Sequence, residues 1–168
     1  KLPPMPVRCS GLIVSESDYQ SRFGGIERLY GRDAVAHIRD MHVCVIGIGG
    51  VGSWAVEALA RSGVGTMTLI DYDEVCATNI NRQVQALDST VGEKKITVLA
   101  KRVMEINPNC DCHLIDDYIS DRNLFELLPV DAGMDYVIDA IDSIRFKAAV
   151  IYYCKRNRIP IITTGAAG

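Results

Sequence analysis

The sequence predicts an α/β fold in which helices cover both faces of a doubly wound, mainly parallel sheet. Three observations support this class. Short apolar runs alternate with segments of helical periodicity along most of the chain. The runs are apolar at consecutive residues, as strands buried on both faces are. The first run leads directly into a glycine-rich turn, which is typical of a Rossmann-like sheet.

Five strands are expected, because five apolar runs are short and bounded by polar residues or glycine. They cover residues 42–46, 66–70, 112–115, 136–138 and 159–162. Right-handed crossovers join successive strands of this kind, so we expect the strands to run parallel.

Helices are expected between the strands, where apolar residues recur at helical spacing. They cover residues 53–61, 93–106, 121–128 and 145–157. Ser120 is the expected N-cap of the third helix. Before the first strand, residues 21–37 are expected to form short helical pieces, broken at Gly24-Gly25 and at Gly31.

The composition fits one globular domain, with 168 residues of which 48% are hydrophobic and 23% charged. Residues 1–20 show no sustained periodicity and are expected to be a flexible leader. One Rossmann-like domain is expected over residues 21–168. The last residues follow directly on the fifth strand, where a ligand-bearing loop is expected. We therefore expect the chain to be the front part of a longer polypeptide.

Charge, hydropathy and cysteine spacing exclude several classes of protein. A net charge of −3 argues against a protein that coats nucleic acid. No apolar run reaches the roughly 18 residues that cross a bilayer. The six cysteines include no C-x-x-C pair, which favours buried thiols in a reducing compartment over a zinc site or disulfides. We expect a cytoplasmic protein; membrane association through a further C-terminal part stays open.

The glycine-rich turn carries the strongest functional signal. Gly47, Gly49, Gly50 and Gly52 lie between a strand and a helix, and Asp71 ends the next strand. Glycines let the backbone approach phosphate oxygens, the helix N-terminus favours an anion, and an acidic side chain at that position binds ribose hydroxyls. The pattern predicts nucleotide binding; the alternative is a glycine turn that serves packing alone.

A second group of polar residues follows the second strand. The stretch from residue 72 to 90 is expected to be a long loop with one helical turn, and such loops are usually functional. The polar residues of this loop and of the next helix start are Asn79, Arg82, Gln83, Lys94 and Lys95. They lie at the carboxyl edge of the sheet, where ligands bind, and they suit a triphosphate. The alternative for the two lysines is a solvated first turn.

Two aspartates follow the fourth strand. Asp139 and Asp142 lie beside the predicted phosphate loop, where carboxylates are suited to hold Mg²⁺. The alternative is that one of them only caps the following helix. The two roles can be divided between the two residues.

Five motifs occur in the order GIGGVG, LIDYDEV, TNINRQ, VGEKK and VIDAIDS. In this order they resemble the ATP-dependent adenylating family that includes ubiquitin-activating enzymes and their bacterial thiamin and molybdopterin relatives. The resemblance covers roughly residues 22–168. It implies an ATP-binding adenylating domain with ATP and Mg²⁺ as cofactors.

The resemblance also implies a role for individual residues. The glycine loop residues Gly47, Gly49, Gly50 and Gly52 hold the phosphates in such enzymes. The residues implied to bind the nucleotide beyond the loop are Asp71 and Asp73 near the ribose, and Asn79, Arg82 and Gln83 facing the triphosphate. Arg82 is implied to be the main charge stabiliser and Lys95 to lie close to the α-phosphate. Asp142 is implied to bind Mg²⁺.

A narrower resemblance concerns the substrate. The stretches RFGGIERLYG, GIGGVGSWAVEALARSG and YVIDAIDSIRFKAAVIYYCKRNRIPIITTG resemble members of the family that cyclise threonylcarbamoyladenosine in tRNA, with loss of water. This implies tRNA carrying that nucleoside as a partner, a homodimer, and a link to a cysteine desulfurase system. Relatives supply an arginine across the dimer from an N-terminal motif. Gly25 takes that arginine's position here, so Arg22 or Arg28 would have to substitute.

A basic run near the end of the chain is the candidate contact for tRNA. Its residues are Arg145, Lys147, Lys155, Arg156 and Arg158, with Tyr152 and Tyr153 between them. The alternative is a solvated helix face.

Three other functions remain compatible with parts of the sequence. An enzyme that adenylates a ubiquitin-like sulfur carrier shares every motif up to Asp142. A nicotinamide-dependent oxidoreductase has no use for Arg82 or Lys95. A nucleotide-gated interaction module in sulfur trafficking needs no turnover.

Overall fold

A computed structural model of the chain describes residues 7–9 and 14–165. Within those residues it contains six β-strands and six α-helices. The strands are β1 (Val7–Cys9), β2 (His42–Ile46), β3 (Thr66–Ile70), β4 (Asp111–Ile115), β5 (Tyr136–Asp139) and β6 (Ile161–Thr163). The helices are α1 (Glu16–Tyr30), α2 (Arg32–Asp40), α3 (Gly52–Arg61), α4 (Lys95–Ile106), α5 (Leu124–Leu127) and α6 (Ile144–Arg156). Short 3₁₀ turns lie at Ala77–Asn79, Asp88–Thr90 and Val130–Ala132.

The six strands form one sheet in the order β1-β4-β3-β2-β5-β6. All pairings from β4 to β6 are parallel, with His42 opposite Thr66 and Ile46 opposite both Ile70 and Asp139. The predicted parallel sheet is therefore confirmed. The sequence did not predict β1, which pairs antiparallel with β4 at one edge. Three residues are too few to produce a recognisable alternation.

Helices cover both faces of the sheet, as the sequence predicts. On one face, Val56 of α3 and Leu99 of α4 join Val45 of β2 in one apolar cluster. On the other face, Val150 of α6 joins Cys44 of β2. Adjacent residues of β2 point to opposite faces, so the continuous apolar run at 42–46 supplies both cores.

Part of the segment predicted to be a flexible leader is regular. Residues 7–9 form β1, and α1 begins at Glu16, ahead of the predicted start at residue 21. Ser15 caps α1, and its hydroxyl oxygen accepts a hydrogen bond from the Asp18 N–H at 3.3 Å. The other predicted leader residues, 1–6 and 10–13, lie outside the described residues.

Helix α1 continues through Gly24-Gly25, where the sequence predicts a break. The helix ends at Gly31 instead, whose φ of +85° separates α1 from α2. Tyr19 and Phe23 are the buried residues of α1, and their ring centroids lie 4.8 Å apart. This packing outweighs the cost of a helical glycine, which is about 1 kcal/mol for each residue.

The predicted helix at 121–128 is shorter than expected, and Ser120 is not its cap. Its regular part is Leu124–Leu127, preceded by Asn123 as N-cap. The Asn123 side-chain oxygen accepts the Ser120 N–H at 2.8 Å and lies 3.0 Å from the Ser120 hydroxyl. These bonds favour a turn ahead of the helix, because a short polar side chain competes for backbone groups there. The last strand also begins later than predicted, at Ile161.

Several cysteines are buried thiols, in agreement with the sequence analysis. Cys44 and Cys154 are fully buried, and burial raises the pKa of Cys154 to about 11. Cys76 is exposed and free. Among residues 7–9 and 14–165, no helix is long and apolar enough to span a bilayer.

A buried carboxylate joins α3 to α4. Glu57 accepts hydrogen bonds from Arg102 Nε at 2.6 Å and from Arg102 Nη2 and Arg61 Nε at 2.9 and 2.8 Å. The hydrogen bond from Arg102 holds the pKa of Glu57 below its ordinary value, and Arg61 adds to the effect against the opposing influence of burial. The charged form of Glu57 therefore stabilises the contact between the two helices.

We predict an acid-dependent contribution of Glu57 to stability. Its folded pKa is depressed, so its contribution is fully present above the unfolded value of about 4.3 and is lost as pH falls through the folded value. Denaturant titrations at several pH values should show that Glu57→Gln lowers the free energy of unfolding at pH 7 and flattens its decline in acid. If the free energy of unfolding of the variant declines in acid as steeply as that of the wild type, the role of Glu57 is contradicted.

We also predict that Gly25→Ala stabilises the protein. No atom lies within 4 Å of the position of the added methyl group, and alanine in a helix is favoured over glycine by about 0.5–1 kcal/mol. Gly31→Ala is the matched control, because its site is equally open but its φ is +85°. We expect that control to lose about 1–3 kcal/mol, because its backbone, with a ψ of 163°, lies in a region that is essentially restricted to glycine. Urea denaturation measures both, and a loss at Gly25 would contradict a continuous α1.

Candidate nucleotide-binding site

The predicted site residues collect at the carboxyl edge of the sheet, where β2, β3 and β5 end. Beyond β2 the chain builds the sheet in one direction through β3 and β4, and then in the other through β5 and β6. This reversal leaves a crevice between the ends of β2 and β5. In open α/β sheets, ligands bind at such a point.

The turn from β2 to α3 allows only glycine at two positions. Gly47 has a φ of +78°, and a Cβ there would lie 3.0 Å from the carbonyl oxygen of Ala140. A Cβ on Gly52 would lie 1.8 Å from the carbonyl oxygen of Gly47. Because Gly47 and Gly52 have no side chains, the backbone at the end of β2 can lie directly against the backbone at the start of α3.

Helix α3 presents its N-terminus to the crevice. It begins at Gly52 and has no acidic residue in its first turn. The N–H groups of a first turn lack partners within the helix and carry the positive end of its dipole. A helix N-terminus after a glycine turn is suited to bind an anion such as phosphate.

Asp71 holds the glycine loop from the side of β3. Its Oδ2 accepts the Ile48 N–H and its Oδ1 accepts the Asp73 N–H, each at 2.8 Å. Each carboxylate oxygen can accept more than one hydrogen bond. Asp71 therefore fixes the loop and keeps acceptor capacity for a ligand hydroxyl.

The loop after β3 lies against the glycine turn through Arg82 and Gln83. A Cβ on Gly50 would lie 3.4 Å from Cδ of Arg82, and one on Gly49 would lie 3.8 Å from Nε2 of Gln83. Arg82 is exposed, and its Nη1 donates to the carbonyl oxygen of Thr78 at 2.8 Å. The guanidinium keeps other donors for a ligand.

Asn79 and Gln85 hold this loop in place. Asn79 is buried, and its side-chain oxygen accepts the Cys76 N–H at 3.0 Å. Gln85 was not singled out by the sequence analysis. It is buried, and its Nε2 donates to the carbonyl oxygen of Ile48 at 3.0 Å and to Oε1 of Gln83 at 3.2 Å. It joins the long loop to the glycine turn, and the near-complete burial of an amide is the property that sequence alone did not reveal.

Lys95 is not part of a solvated helix start. It is 5% exposed, and its Nζ donates to Oδ2 of Asp73 at 2.7 Å. Lys94 differs, because its Nζ donates to the carbonyl oxygen of Tyr72 at 2.8 Å and lies 3.2 Å from Asp116. The solvated alternative is therefore wrong for Lys95, whose charge is held beside the crevice by a carboxylate.

The two aspartates after β5 have separate environments. Asp139 is fully buried, and it accepts from Lys147 Nζ at 2.8 Å and from the Ile141 N–H at 3.0 Å. Asp142 is exposed. Ser143 is the N-cap of α6, with no side-chain capping bond, so neither aspartate caps that helix. Asp139 holds the loop that presents Asp142 at the edge of the crevice.

An aromatic group beside Asp71 was missed by the sequence analysis. The rings of Tyr72 and Tyr118 lie edge to face with centroids 5.7 Å apart, and Phe146 lies 6.4 Å from Tyr118. Tyr72 and Tyr118 are more than half exposed. Each of these residues follows the carboxyl end of a different strand, which is the signal that could have identified them.

Asp142 is the residue that the sequence predicts to bind a metal ion at this edge of the sheet. Within the described part of the chain, no three His, Cys, Asp or Glu side chains are grouped to hold a metal. Mg²⁺ commonly takes one or two protein carboxylates and completes its shell with phosphate and water. An exposed carboxylate beside a phosphate site fits that mode.

Arg22 and Arg28 lie apart from the crevice of their own chain. Arg22 pairs with Asp18 at 2.9 Å and donates to the carbonyl oxygen of Ile106, at the end of α4 remote from Lys95. Arg28 is exposed near the end of α1. A role for either residue in a neighbouring subunit stays a prediction.

Three comparisons with known proteins agree with this geometry. Residues 24–168 match the ThiF family. The tRNA threonylcarbamoyladenosine dehydratase of Haemophilus influenzae is 57% identical over 151 residues, which are 90% of this chain and 57% of that protein. The crystal structure of the E. coli tRNA N6-threonylcarbamoyladenosine dehydratase in complex with ATP has a TM-score of 0.88 at 52% identity, over 94% of this chain and 63% of that one. Its complex with AMP has a TM-score of 0.87.

The chain is shorter than these relatives. It spans 57% of the length of the Haemophilus influenzae protein and 63% of the E. coli chain.

We predict that the ion pair between Asp139 and Lys147 holds the crevice together. Lys147→Met leaves a fully buried carboxylate without its cation, which should lower the free energy of unfolding by about 3–5 kcal/mol. The double variant Lys147→Met/Asp139→Asn removes both charges and should lose less. Chemical denaturation of the three proteins measures this. A loss below about 1 kcal/mol in the single variant would show that the pair behaves as a surface pair.

Proposed function

The chain belongs to the ThiF family, and on that premise we propose that it is the ATP-binding domain of an enzyme that dehydrates threonylcarbamoyladenosine in tRNA. The main support is the 57% identity to a tRNA threonylcarbamoyladenosine dehydratase across 90% of this chain. The crevice at the carboxyl edge supports the proposal chemically, because it offers a glycine turn and a helix N-terminus for phosphate and a carboxylate for ribose hydroxyls.

In this proposal, the triphosphate lies over the glycine turn. The backbone of Gly47, Gly49, Gly50 and Gly52 and the first turn of α3 surround its oxygens. Asp71 accepts the ribose hydroxyls through acceptor positions that Ile48 and Asp73 leave open. The adenine packs against the exposed rings beside Asp71, where an aromatic face offers stacking.

Two cations and a metal ion offset the charge of the triphosphate. Arg82 is exposed beside Gly50 and has free donors for the phosphates. Lys95 is held by Asp73, within reach of a nucleotide whose ribose lies on Asp71. Asp142 would supply a carboxylate for Mg²⁺. Gln83 faces Gly49 and adds an amide donor, while Asn79 positions the loop.

The reaction follows from what ATP does to a carboxylate. A carboxylate is a poor electrophile because its leaving group is oxide or hydroxide. Attack of the threonyl carboxylate on the α-phosphorus expels pyrophosphate and forms an acyl-adenylate; attack on the γ-phosphorus would give an acyl-phosphate and ADP. The carbamoyl oxygen of the same nucleoside then attacks the activated carbonyl, AMP or phosphate departs with the former carboxylate oxygen, and a nitrogen proton is lost. The net change is loss of water.

The protein's part in this chemistry is positioning and charge stabilisation. The nucleophile is in the same molecule as the electrophile, so its effective concentration is high and no enzyme nucleophile is needed. Arg82, Lys95 and the backbone N–H groups stabilise charge that develops on the phosphates. A nicotinamide cofactor would leave the buried Lys95 without a use, which favours ATP.

The wider setting belongs to the same proposal. We infer that the protein acts as a homodimer in the cytoplasm on tRNA carrying threonylcarbamoyladenosine. Arg22 or Arg28 would reach the neighbouring subunit's site, and proteins of a cysteine desulfurase system are further candidate partners.

The central assay uses the full-length protein with ATP, Mg²⁺ and tRNA that carries threonylcarbamoyladenosine. Mass spectrometry of the digested tRNA should show a nucleoside lighter by one water, and AMP should form for each conversion. Arg82→Ala and Asp142→Ala should each lower kcat about 10²-fold or more. Lys101→Ala is the matched control, since Lys101 is an exposed cation on α4.

Two outcomes would contradict the proposal. An unchanged nucleoside mass with intact ATP contradicts the activity itself. Wild-type rates in both Arg82→Ala and Asp142→Ala contradict the assignment of the site. Formation of ADP in place of AMP would identify the acyl-phosphate route.

A further inference from the structure

The segment from residue 143 to 165 has an unusual charge. It contains five basic residues and no acidic residue, in a chain whose net charge is −3. Its cations lie in α6 and in the turn that follows. This local excess of positive charge opposes the sign of the protein as a whole.

The structure divides these cations into two groups. Lys147 forms an ion pair with the buried Asp139, and Arg145 pairs with Asp121 at 3.0 Å. The other three, Lys155, Arg156 and Arg158, are exposed and form no ion pair within residues 7–9 and 14–165. Tyr153 is also engaged, because its hydroxyl donates to the carbonyl oxygen of Leu128. The sequence candidates for a nucleic-acid contact therefore reduce to the end of α6.

Helix α6 connects this end to the candidate nucleotide site. Its first residue, Ile144, follows Asp142 by two positions, and its 13 residues return along the sheet to the opposite edge. At 1.5 Å per residue, the helix axis is about 18 Å long. Val150 and Cys154 are buried on one face. Arg145, Tyr152 and Arg156 recur at helical spacing on the other face, and all three are exposed.

Arg158 occupies a conformation that glycine would adopt at lower cost. It is the one non-glycine residue with positive φ among the described residues, at +59°. The left-handed conformation costs a side-chain-bearing residue about 1–2 kcal/mol. This conformation ends α6, because the Ile159 N–H beyond it donates to the carbonyl oxygen of Cys154 at 2.9 Å. It leaves the Arg158 side chain exposed beside the last turn of the helix.

We propose that Lys155, Arg156 and Arg158 form a phosphate-binding surface for the stem of a tRNA whose modified nucleoside lies in the crevice at the other end of α6. The inference rests on the proposed function. A nucleic-acid duplex carries roughly one phosphate charge per 1.7 Å of axis, so a stem beside α6 presents several phosphates along its length. Double-stranded RNA is recognised mainly through shape and backbone contacts, which needs no base-reading side chains. Within the described residues, these three cations have no carboxylate partner. A nucleic-acid backbone is a continuous polyanion and can meet all three, whereas an acidic protein surface would have to place an individual carboxylate opposite each one.

The test compares tRNA affinity across a range of salt concentrations. The full-length triple variant Lys155→Gln/Arg156→Gln/Arg158→Gln should bind tRNA about tenfold or more weakly. Its slope of log K against log salt should be shallower by about 2, since each lost phosphate contact removes roughly 0.7–0.9. Modified and unmodified tRNA should lose affinity alike. The kcat at saturating tRNA and the KM for ATP should remain those of the wild type.

The matched control changes the net charge equally at other sites. Arg32→Gln/Arg39→Gln/Lys101→Gln removes three exposed or half-exposed cations from α2 and α4, and it should keep the wild-type affinity and salt slope. If the α6 variant binds tRNA as the control does, the surface serves another partner and the inference is overturned. Failure of the wild type to bind tRNA overturns it as well. Absence of dehydration with intact tRNA binding contradicts only the proposed function, because the affinity comparison still decides the surface.

Discussion

The close crossing of backbone between β2 and α3 is the constraint on which the rest of the site depends. The carbonyl oxygen of Gly47 lies 1.8 Å from the point that a Cβ on Gly52 would occupy. This contact starts α3 immediately at the sheet edge. Asp71 then holds the turn through the Ile48 N–H, so the helix N-terminus and the end of β3 are fixed relative to each other. Without this contact, neither the N-terminus of α3 nor the Asp71 carboxylate would be held in place beside the turn.

Two cations of the site are paired with carboxylates. Lys95 pairs with Asp73, and Lys147 pairs with Asp139. The two pairs differ in exposure, because Asp73 is partly open to solvent whereas Asp139 is fully buried. A buried pair holds structure, since loss of one partner leaves a charge without water. A half-open pair can exchange its carboxylate for a phosphate. Lys95 is therefore paired at the edge of the crevice, whereas Lys147 is paired in the interior.

The sequence predicted most of this architecture, and its failures have physical causes. The glycine turn and the five parallel strands were predictable because both depend on local residue type and on short-range pattern. The start of α1 and its passage through Gly24-Gly25 were not, because the packing of Tyr19 and Phe23 overrides the local preference of glycine. Gln85 and the aromatic rings beside Asp71 were missed because distant segments bring them to the crevice.

The same division between local pattern and tertiary packing applies to the residues of the site. The charge of Lys95 was evident from the sequence, but its burial against Asp73 was not. Asp139 and Asp142 could not be told apart by spacing, and only the fold shows that one carboxylate is buried and the other exposed.

A crystal structure of the full-length protein with bound ATP tests the central claim most directly. We expect the triphosphate above the β2–α3 turn, ribose hydroxyls on the Asp71 carboxylate, and adenine against the ring of Tyr118. Nucleotide bound elsewhere on the molecule, or a crevice left vacant at saturating ATP, would contradict it.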